Sequence, residues 1–321
     1  MFGKTGLKVL VAVILLGILS GGCAAPKQGL GLKFAPEQTS TYKVTTEMAK
    51  ESKFDQPSVN KFRQEKVGVN FEMIFDQTVK SVDTAGNATA EIKIKQLKYN
   101  DTSPKGAGYD FDSARKNNRD KSLKALMGKR YTIKISPDGK AEAADVKDIR
   151  GAIQQGPAAK ITANFFSDEA IKNRHSIPAL VAMGSVKEMK VGDTWSVLKA
   201  SPSGMLIPKS YEKIYKLKEI KSRGGEQVAV IEMNAMTSSK PASDTVKEES
   251  SAAAFSKMFQ SSDTYTGELV LNLTTGKVEK SDEGLQALWV ASEDEATQKS
   301  DKGADVITMG FSHRQSIEKV K

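Results

Sequence analysis

The chain has 321 residues, of which 39% are hydrophobic, so it has enough apolar material for a globular core and is not a disordered chain. Its 48 Lys and Arg exceed its 39 Asp and Glu, a formal net charge of +9, but the basic residues are scattered rather than clustered with aromatics. This distribution predicts a cationic surface and no nucleic-acid interface, and the single cysteine excludes an internal disulfide.

The N-terminus has the layout of a secretory signal. Lys4 and Lys8 form a basic beginning, and the uncharged apolar run at residues 9–19 follows them. This run is shorter than the roughly 20 apolar residues that a membrane-spanning helix needs. We therefore expect an export signal that is removed rather than a retained transmembrane helix.

Residues 20–23, with the sequence SGGC, resemble the lipobox of bacterial lipoproteins, although Ser20 stands where that family prefers Leu. In the family the signal is cut before the cysteine, which receives diacylglycerol through its sulfur. The resemblance implies a signal peptide at residues 1–22, lipidation of Cys23 and anchoring to a membrane through acyl chains. A plain secretory signal with an incidental cysteine is the alternative.

The residues after the cysteine indicate where the anchored protein would lie. Asp directly after the cysteine is the usual retention signal for the inner membrane in this family, and here Ala24 and Ala25 follow it. The resemblance therefore implies the cell envelope, at the outer membrane facing the periplasm. Residues 23–38 are rich in Gly, Pro and Ala and are expected to form a flexible tether.

Beyond the tether, the pattern predicts β-hairpins. Apolar and polar residues alternate from 67 to 79, as in a long half-buried strand, and a second alternating strand follows the turn residues 83–87. Further turns between alternating segments are expected at 137–139, 222–225 and 275–277. The turn glycines recur at nearly constant offsets, which indicates an internal duplication with halves at 39–184 and 185–321. Two unrelated meanders of similar spacing remain the alternative.

Short helices are expected between the hairpins. The segments 121–127, much of 148–183, and 251–260 carry Ala, Leu, Met and Phe at helical spacing. Trp195 is expected in a strand after the turn at 191–194, with its ring on the core or on a sheet face. The fold class predicted is α+β: curved, mostly antiparallel sheet with short helices on its apolar face.

Catalytic groups are scarce in this sequence. His175 and His313 are the two histidines, in unlike contexts, and no zinc-protease spacing or nucleophile elbow accompanies them. We expect both on the surface and without a metal. The tetrads SARK at 113–116 and SVLK at 196–199 lack the companion elements of β-lactamase-like enzymes. The sequence thus predicts no enzyme, no cofactor and no metal site.

The predicted architecture is similar to the periplasmic lipoprotein-carrier folds, and the body resembles β-rich envelope proteins of unassigned function. The carrier resemblance implies a non-enzymatic lipoprotein that binds a lipid or another apolar ligand on the sheet. The simpler interpretation is that Phe71, Met73 and Phe75 are ordinary core residues. An interaction scaffold that contacts the cell wall or another envelope protein is the alternative function.

Overall fold

The computed structural model describes residues 28–102, 108–243, 258–293 and 301–320. The predicted signal peptide, Cys23 and the first residues of the predicted tether lie outside the described residues. Most of the helix predicted at 251–260 lies outside them as well. None of the described helices is long and apolar enough to cross a membrane.

Antiparallel strands make up most of the described chain, which confirms the predicted fold class. The strands are β1 Gln28–Leu30, β2 Thr39–Gln56, β3 Lys61–Val82, β4 Ala88–Thr102, β5 Asp110–Asp112, β6 Arg130–Ile135, β7 Ala141–Asp145, β8 Lys187–Met189, β9 Thr194–Ala200, β10 Ser210–Arg223, β11 Glu226–Ser238, β12 Gln260–Asn272, β13 Lys277–Ser292 and β14 Val306–Lys319.

Short helices lie between β7 and β8, where the apolar spacing predicted them. They are α1 Lys147–Gly151, α2 Gly156–Phe165, α3 Asp168–His175 and α4 Pro178–Met183. The segment predicted to be helical at 121–127 forms the short 3₁₀ helix Ser122–Leu126.

In the described residues, one antiparallel sheet of twelve strands runs in the order β7-β6-β4-β3-β2-β14-β13-β12-β11-β10-β9, with β5 beside β4. Strands β1 and β8 form a separate pair. Each half of the chain is a meander, and β14 returns to pair with β2, which joins the two halves. Both halves therefore contribute to one sheet, while the duplication stays a prediction.

All four predicted hairpins are confirmed: β3–β4, β6–β7, β10–β11 and β12–β13. Their short turns lie at the same end of the sheet, because consecutive strands reverse direction; we call this the turn end. The β3–β4 turn is closed by Asp83, whose Oδ1 accepts the backbone N–H groups of Ala85 and Asn87 at 2.9 and 2.8 Å. The opposite end carries the β2–β3 hairpin tip and the longer loops.

One face of the sheet, the inner face, packs against the helices. Phe71, Met73 and Phe75 on β3 are fully buried there, which confirms that these side chains are core. The Phe71 ring stacks on Phe165 of α2 with centroids 4.3 Å apart. Their burial follows from period-two alternation, since every second side chain of a strand points to the same face.

The sheet is curved, as predicted. Helix α3 contacts the edge strand β7, while α4 contacts β9 at the other edge. The Trp195 indole N–H on β9 donates to the Ala179 carbonyl of α4 at 2.8 Å. Because the same helical segment reaches both edges, the sheet must bend around it.

The outer face carries cross-strand ion pairs. Arg314 donates two hydrogen bonds of 2.9 Å to Asp282, and the Lys98 ammonium lies 3.4 Å from Glu72. Exposed pairs of this kind contribute little stability, about 0–1 kcal/mol each. They indicate that this face lies in water.

Candidate ligand cavity at the turn end

A short segment, residues 30–34, crosses the turn end of the sheet and is called the strap below. The Leu32 N–H donates to the Pro137 carbonyl in the β6–β7 turn at 2.8 Å. The Lys33 N–H donates to the Gly276 carbonyl in the β12–β13 turn at 3.1 Å. These turns belong to different halves of the chain, so the strap ties the two halves together.

The strap corrects the predicted tether. Residues 28–38 were assigned to a flexible segment on composition, but Gln28–Leu30 pairs with β8, and Leu30 and Leu32 are 1% and 7% exposed. The physical reason is that these leucines pack against an apolar surface at the turn end. The Gly and Pro content of the segment does not indicate that contact. Residues 28–38 are therefore part of the folded body.

The strap also explains why residue 276 is a glycine. Gly276 has φ +65°, and a Cβ there would collide with the backbone nitrogen and side chain of Lys33. Glycine is the residue that tolerates both the left-handed backbone and this close approach. The sequence pattern predicted a turn at this position but not its contact with residue 33.

A cavity of about 40 Å³ lies beneath the strap. Its apolar wall includes Leu32, Phe34, Ile135, Ile177, Val278 and Ile317. Its polar groups include Lys33, Ser40, Gln77, His175 and Lys277. An apolar space with a few converging polar groups is the usual form of a small-molecule site.

The two lysines of the cavity lack acidic partners. Lys277 Nζ donates to Ser40 Oγ at 2.6 Å, and Lys33 Nζ donates to the Leu273 carbonyl at 2.6 Å. Neither forms an ion pair within the described parts of the chain. Burial lowers the pKa of Lys277, and the charge of Lys319 lowers it further.

His175 corrects the sequence prediction, because it is 2% exposed rather than on the surface. Helix α3 buries Ile171, Arg174 and His175, which share one face at spacings of three and four residues. That spacing was visible in the sequence, but polar side chains were not expected on a buried face. His313, on β14, is half-buried and borders an open depression.

The His175 ring has one partner and one free nitrogen. Its Nε2 shares a hydrogen bond of 2.7 Å with the Tyr131 hydroxyl, and its ring packs edge-on against Phe75 at 5.1 Å. Nδ1 is buried without a hydrogen-bond partner. Burial lowers the pKa of His175 well below 6.5, and the adjacent charge of Arg174 adds to this, so the ring is neutral near pH 7.

Arg174 was not singled out by sequence reasoning. Its guanidinium lies 5.0 Å from the Phe71 ring and 5.1 Å from the Phe166 ring, and it donates to the Phe165 carbonyl. Aromatic faces favour a cation at this distance. The arrangement places a positive charge beside Tyr131 and His175.

A second buried polar cluster lies in the C-terminal half. Lys213 on β10 pairs with Glu283 on β13 at 2.7 Å, and Tyr215 donates to the same carboxylate at 3.0 Å. Lys209 pairs with Asp263 on β12 at 2.6 Å. Since these partners stand on strands that are not neighbours, the sheet must curl for them to meet across its inner face.

Other spaces are less suited to an apolar ligand. Two larger depressions, of about 680 and 650 Å³, are open and are lined mainly by charged, hydroxyl and amide side chains. No three His, Cys, Asp or Glu side chains of the described residues lie close enough to hold a metal ion.

The model of a family of unknown function, DUF6263, matches residues 85–278. No curated protein matches the sequence.

Two solved structures are distantly similar. A structure described as lipid-protein interactions in lipovitellin has 15% identity and a TM-score of 0.42; the match covers 90% of this chain but 26% of the lipovitellin chain. DynF of the dynemicin biosynthesis pathway of Micromonospora chersina has 6% identity and a TM-score of 0.15, with 91% and 85% covered.

Proposed function

The chain belongs to the family of unknown function DUF6263, and we propose that it is a membrane-anchored envelope lipoprotein that binds an apolar or amphipathic ligand and catalyses no reaction. The observation that carries the binding proposal is the cavity beneath the strap. Its apolar wall is built from both halves of the chain, and Lys33 and Lys277 add positive charge without acidic partners in the described residues.

The size of the cavity limits what it holds. A volume of about 40 Å³ is well below the roughly 150 Å³ of an engineered cavity that binds benzene. It accommodates a small head group or the end of an alkyl chain, and a longer chain has to extend past the strap.

The anchor is proposed from the lipobox resemblance at Cys23. Residues 23–27 span at most about 18 Å when fully extended. Since the described chain begins at Gln28 and reaches the strap at residue 30, lipidation of Cys23 would hold the turn end near the membrane. The cavity would then lie close to a source of amphipathic ligands. Ala24 in place of Asp supports the outer membrane, facing the periplasm, as the location.

Ligand binding is tested with the purified protein and an apolar fluorescent dye, together with mass spectrometry of co-purified lipid. Ile177→Phe, which fills the cavity, should weaken dye binding at least tenfold. Ile220→Phe, a matched change on β10 away from the cavity, should leave binding unchanged. No dye binding and no co-purified lipid in the unaltered protein would refute the proposal.

Anchoring is tested separately by Cys23→Ser in cells. The variant should appear as a soluble periplasmic protein or an uncleaved precursor. A cleaved variant that still requires detergent for extraction would contradict lipidation of Cys23.

An interaction scaffold is the second candidate, favoured by the hairpin tip between β2 and β3. Val59 and Phe62 are 61% and 60% exposed there, and the length of β2, 18 residues or roughly 60 Å, separates this tip from the turn end. A photo-crosslinker at Phe62 should capture one fixed envelope partner in intact cells, whereas a crosslinker at exposed Lys93 should not. Equal labelling from both positions would argue against the scaffold.

A further inference from the structure

We infer that the ligand of the cavity beneath the strap carries a carboxylate, which Lys277 holds while an aliphatic group contacts the apolar wall. This inference rests on the proposed ligand-binding function and adds the chemical class of the ligand. It is carried by the hydrogen-bonding groups that face the cavity.

The polar lining favours an anion over a cation. None of the described residues that line the cavity is Asp or Glu, whereas Lys33 and Lys277 both contribute ammonium groups. Lys277 uses one of its three N–H groups on Ser40, which leaves two for a ligand. An anion beside Lys277 would offset the unfavourable burial of its charge.

Lys33 supplies the second cation. Its ammonium donates one hydrogen bond to the Leu273 carbonyl at 2.6 Å, which leaves two N–H groups for a ligand.

His175 also lines the cavity, and because burial lowers its pKa well below 6.5 the ring is neutral and adds no charge there. The two ammonium groups are therefore the groups that select for an anion.

A carboxylate fits these donors in number and size. Its oxygens can accept from Lys277 and Lys33, and its small volume suits a cavity of about 40 Å³. The isoleucine and valine side chains of the wall suit the alkyl chain of an aliphatic acid. A free inorganic anion would make no apolar contact with this wall.

The experiment measures binding of octanoate, octan-1-ol, acetate and inorganic phosphate to the purified full mature chain by titration calorimetry. Octanoate should bind at least tenfold more tightly than each of the other three. Lys277→Met should weaken octanoate at least tenfold and leave octan-1-ol unchanged. Lys43→Met, on the outer face of β2, is the matched control and should change neither. Lys277→Gln serves as a second variant if Lys277→Met does not fold.

The outcomes separate the inference from the function on which it rests. Equal binding of octanoate and octan-1-ol, or no effect of the Lys277 variants on octanoate, would overturn the carboxylate and leave an apolar site. Acetate or phosphate binding as tightly as octanoate would overturn the aliphatic acid in favour of a plain anion site. If none of the four compounds binds, the proposed function itself fails.

Discussion

Acid should destabilise this protein through His175, because its imidazole is buried in the neutral form. The ring lies between Tyr131 of β6 and Phe75 of β3, and Arg174 adjoins it on α3. No carboxylate of the described residues is hydrogen-bonded to it. Protonation in the folded state would therefore place a second positive charge beside Arg174 without compensation.

The sign and size of this loss of stability follow from the lowered pKa of His175. The pKa of His175 is well below 6.5 in the folded protein and near 6.5 in the unfolded chain. Below pH 6.5 the unfolded chain binds a proton that the folded chain does not, so the free energy of unfolding falls as the pH falls. The loss approaches about 1.4 kcal/mol per pH unit, or about 2 kcal/mol between pH 7 and pH 5.

The assay is urea unfolding of the purified protein at pH 7, 6 and 5, with His175→Gln and His175→Phe beside the unaltered chain. Both variants are expected to be less stable at pH 7 and to lose about 2 kcal/mol less on acidification. His313→Gln is the comparison variant. Burial and Lys213 lower the pKa of His313 less than that of His175, so this variant should remove a smaller part of the loss on acidification than the His175 variants remove.

The decisive quantity is the difference in pH dependence between the unaltered chain and the His175 variants. If the variants lose as much stability on acidification as the unaltered chain, the buried neutral histidine is not the cause. An NMR titration that placed the pKa of His175 at or above 6.5 would also refute the reasoning.

Two further changes test the packing of the fold by urea unfolding. Glu283→Gln leaves the buried ammonium of Lys213 without its partner and should lower the free energy of unfolding by about 3–5 kcal/mol. Lys213→Met combined with Glu283→Met should recover most of that loss. A double variant that loses the sum of the losses of its two single variants would contradict the pairing. Gly276→Ala should lower the free energy of unfolding by about 2–4 kcal/mol, because the new Cβ collides with Lys33 and the backbone is left-handed. Gly224→Ala is the control, since its φ is +60° but the space around it is open, and it should cost about 1 kcal/mol. Equal losses would mean that the strap moves to make room for the Cβ at residue 276 without a cost in stability.

The hairpins were predictable because they depend on neighbouring residues. Alternation placed Phe71 and Phe75 on one face, and turn residues such as those at 83–87 marked the reversals. The helices of the segment 148–183 were predictable for the same reason, although their exact bounds were not. Short-range periodicity and turn chemistry contain that information directly.

The candidate cavity was not predictable in the same way. The Lys33 side chain bonds to the carbonyl of Leu273, 240 residues away, and no local pattern specifies such a partner. His175 was placed on the surface because its type is polar, yet the helix face that it shares with Ile171 is buried against the sheet. Sequence reasoning did not single out Lys213 and Glu283, whose pairing depends on the curl of the sheet.

By itself, the sequence determined the strands, their turns and the α+β class, because backbone conformation and side-chain alternation are set by residues close in the chain. The tertiary structure decided how the strap crosses the turn end, which polar side chains became buried, and where a cavity remained between the halves. These features depend on contacts between residues distant in sequence, whose free energy is realised only when the whole sheet closes around its helices.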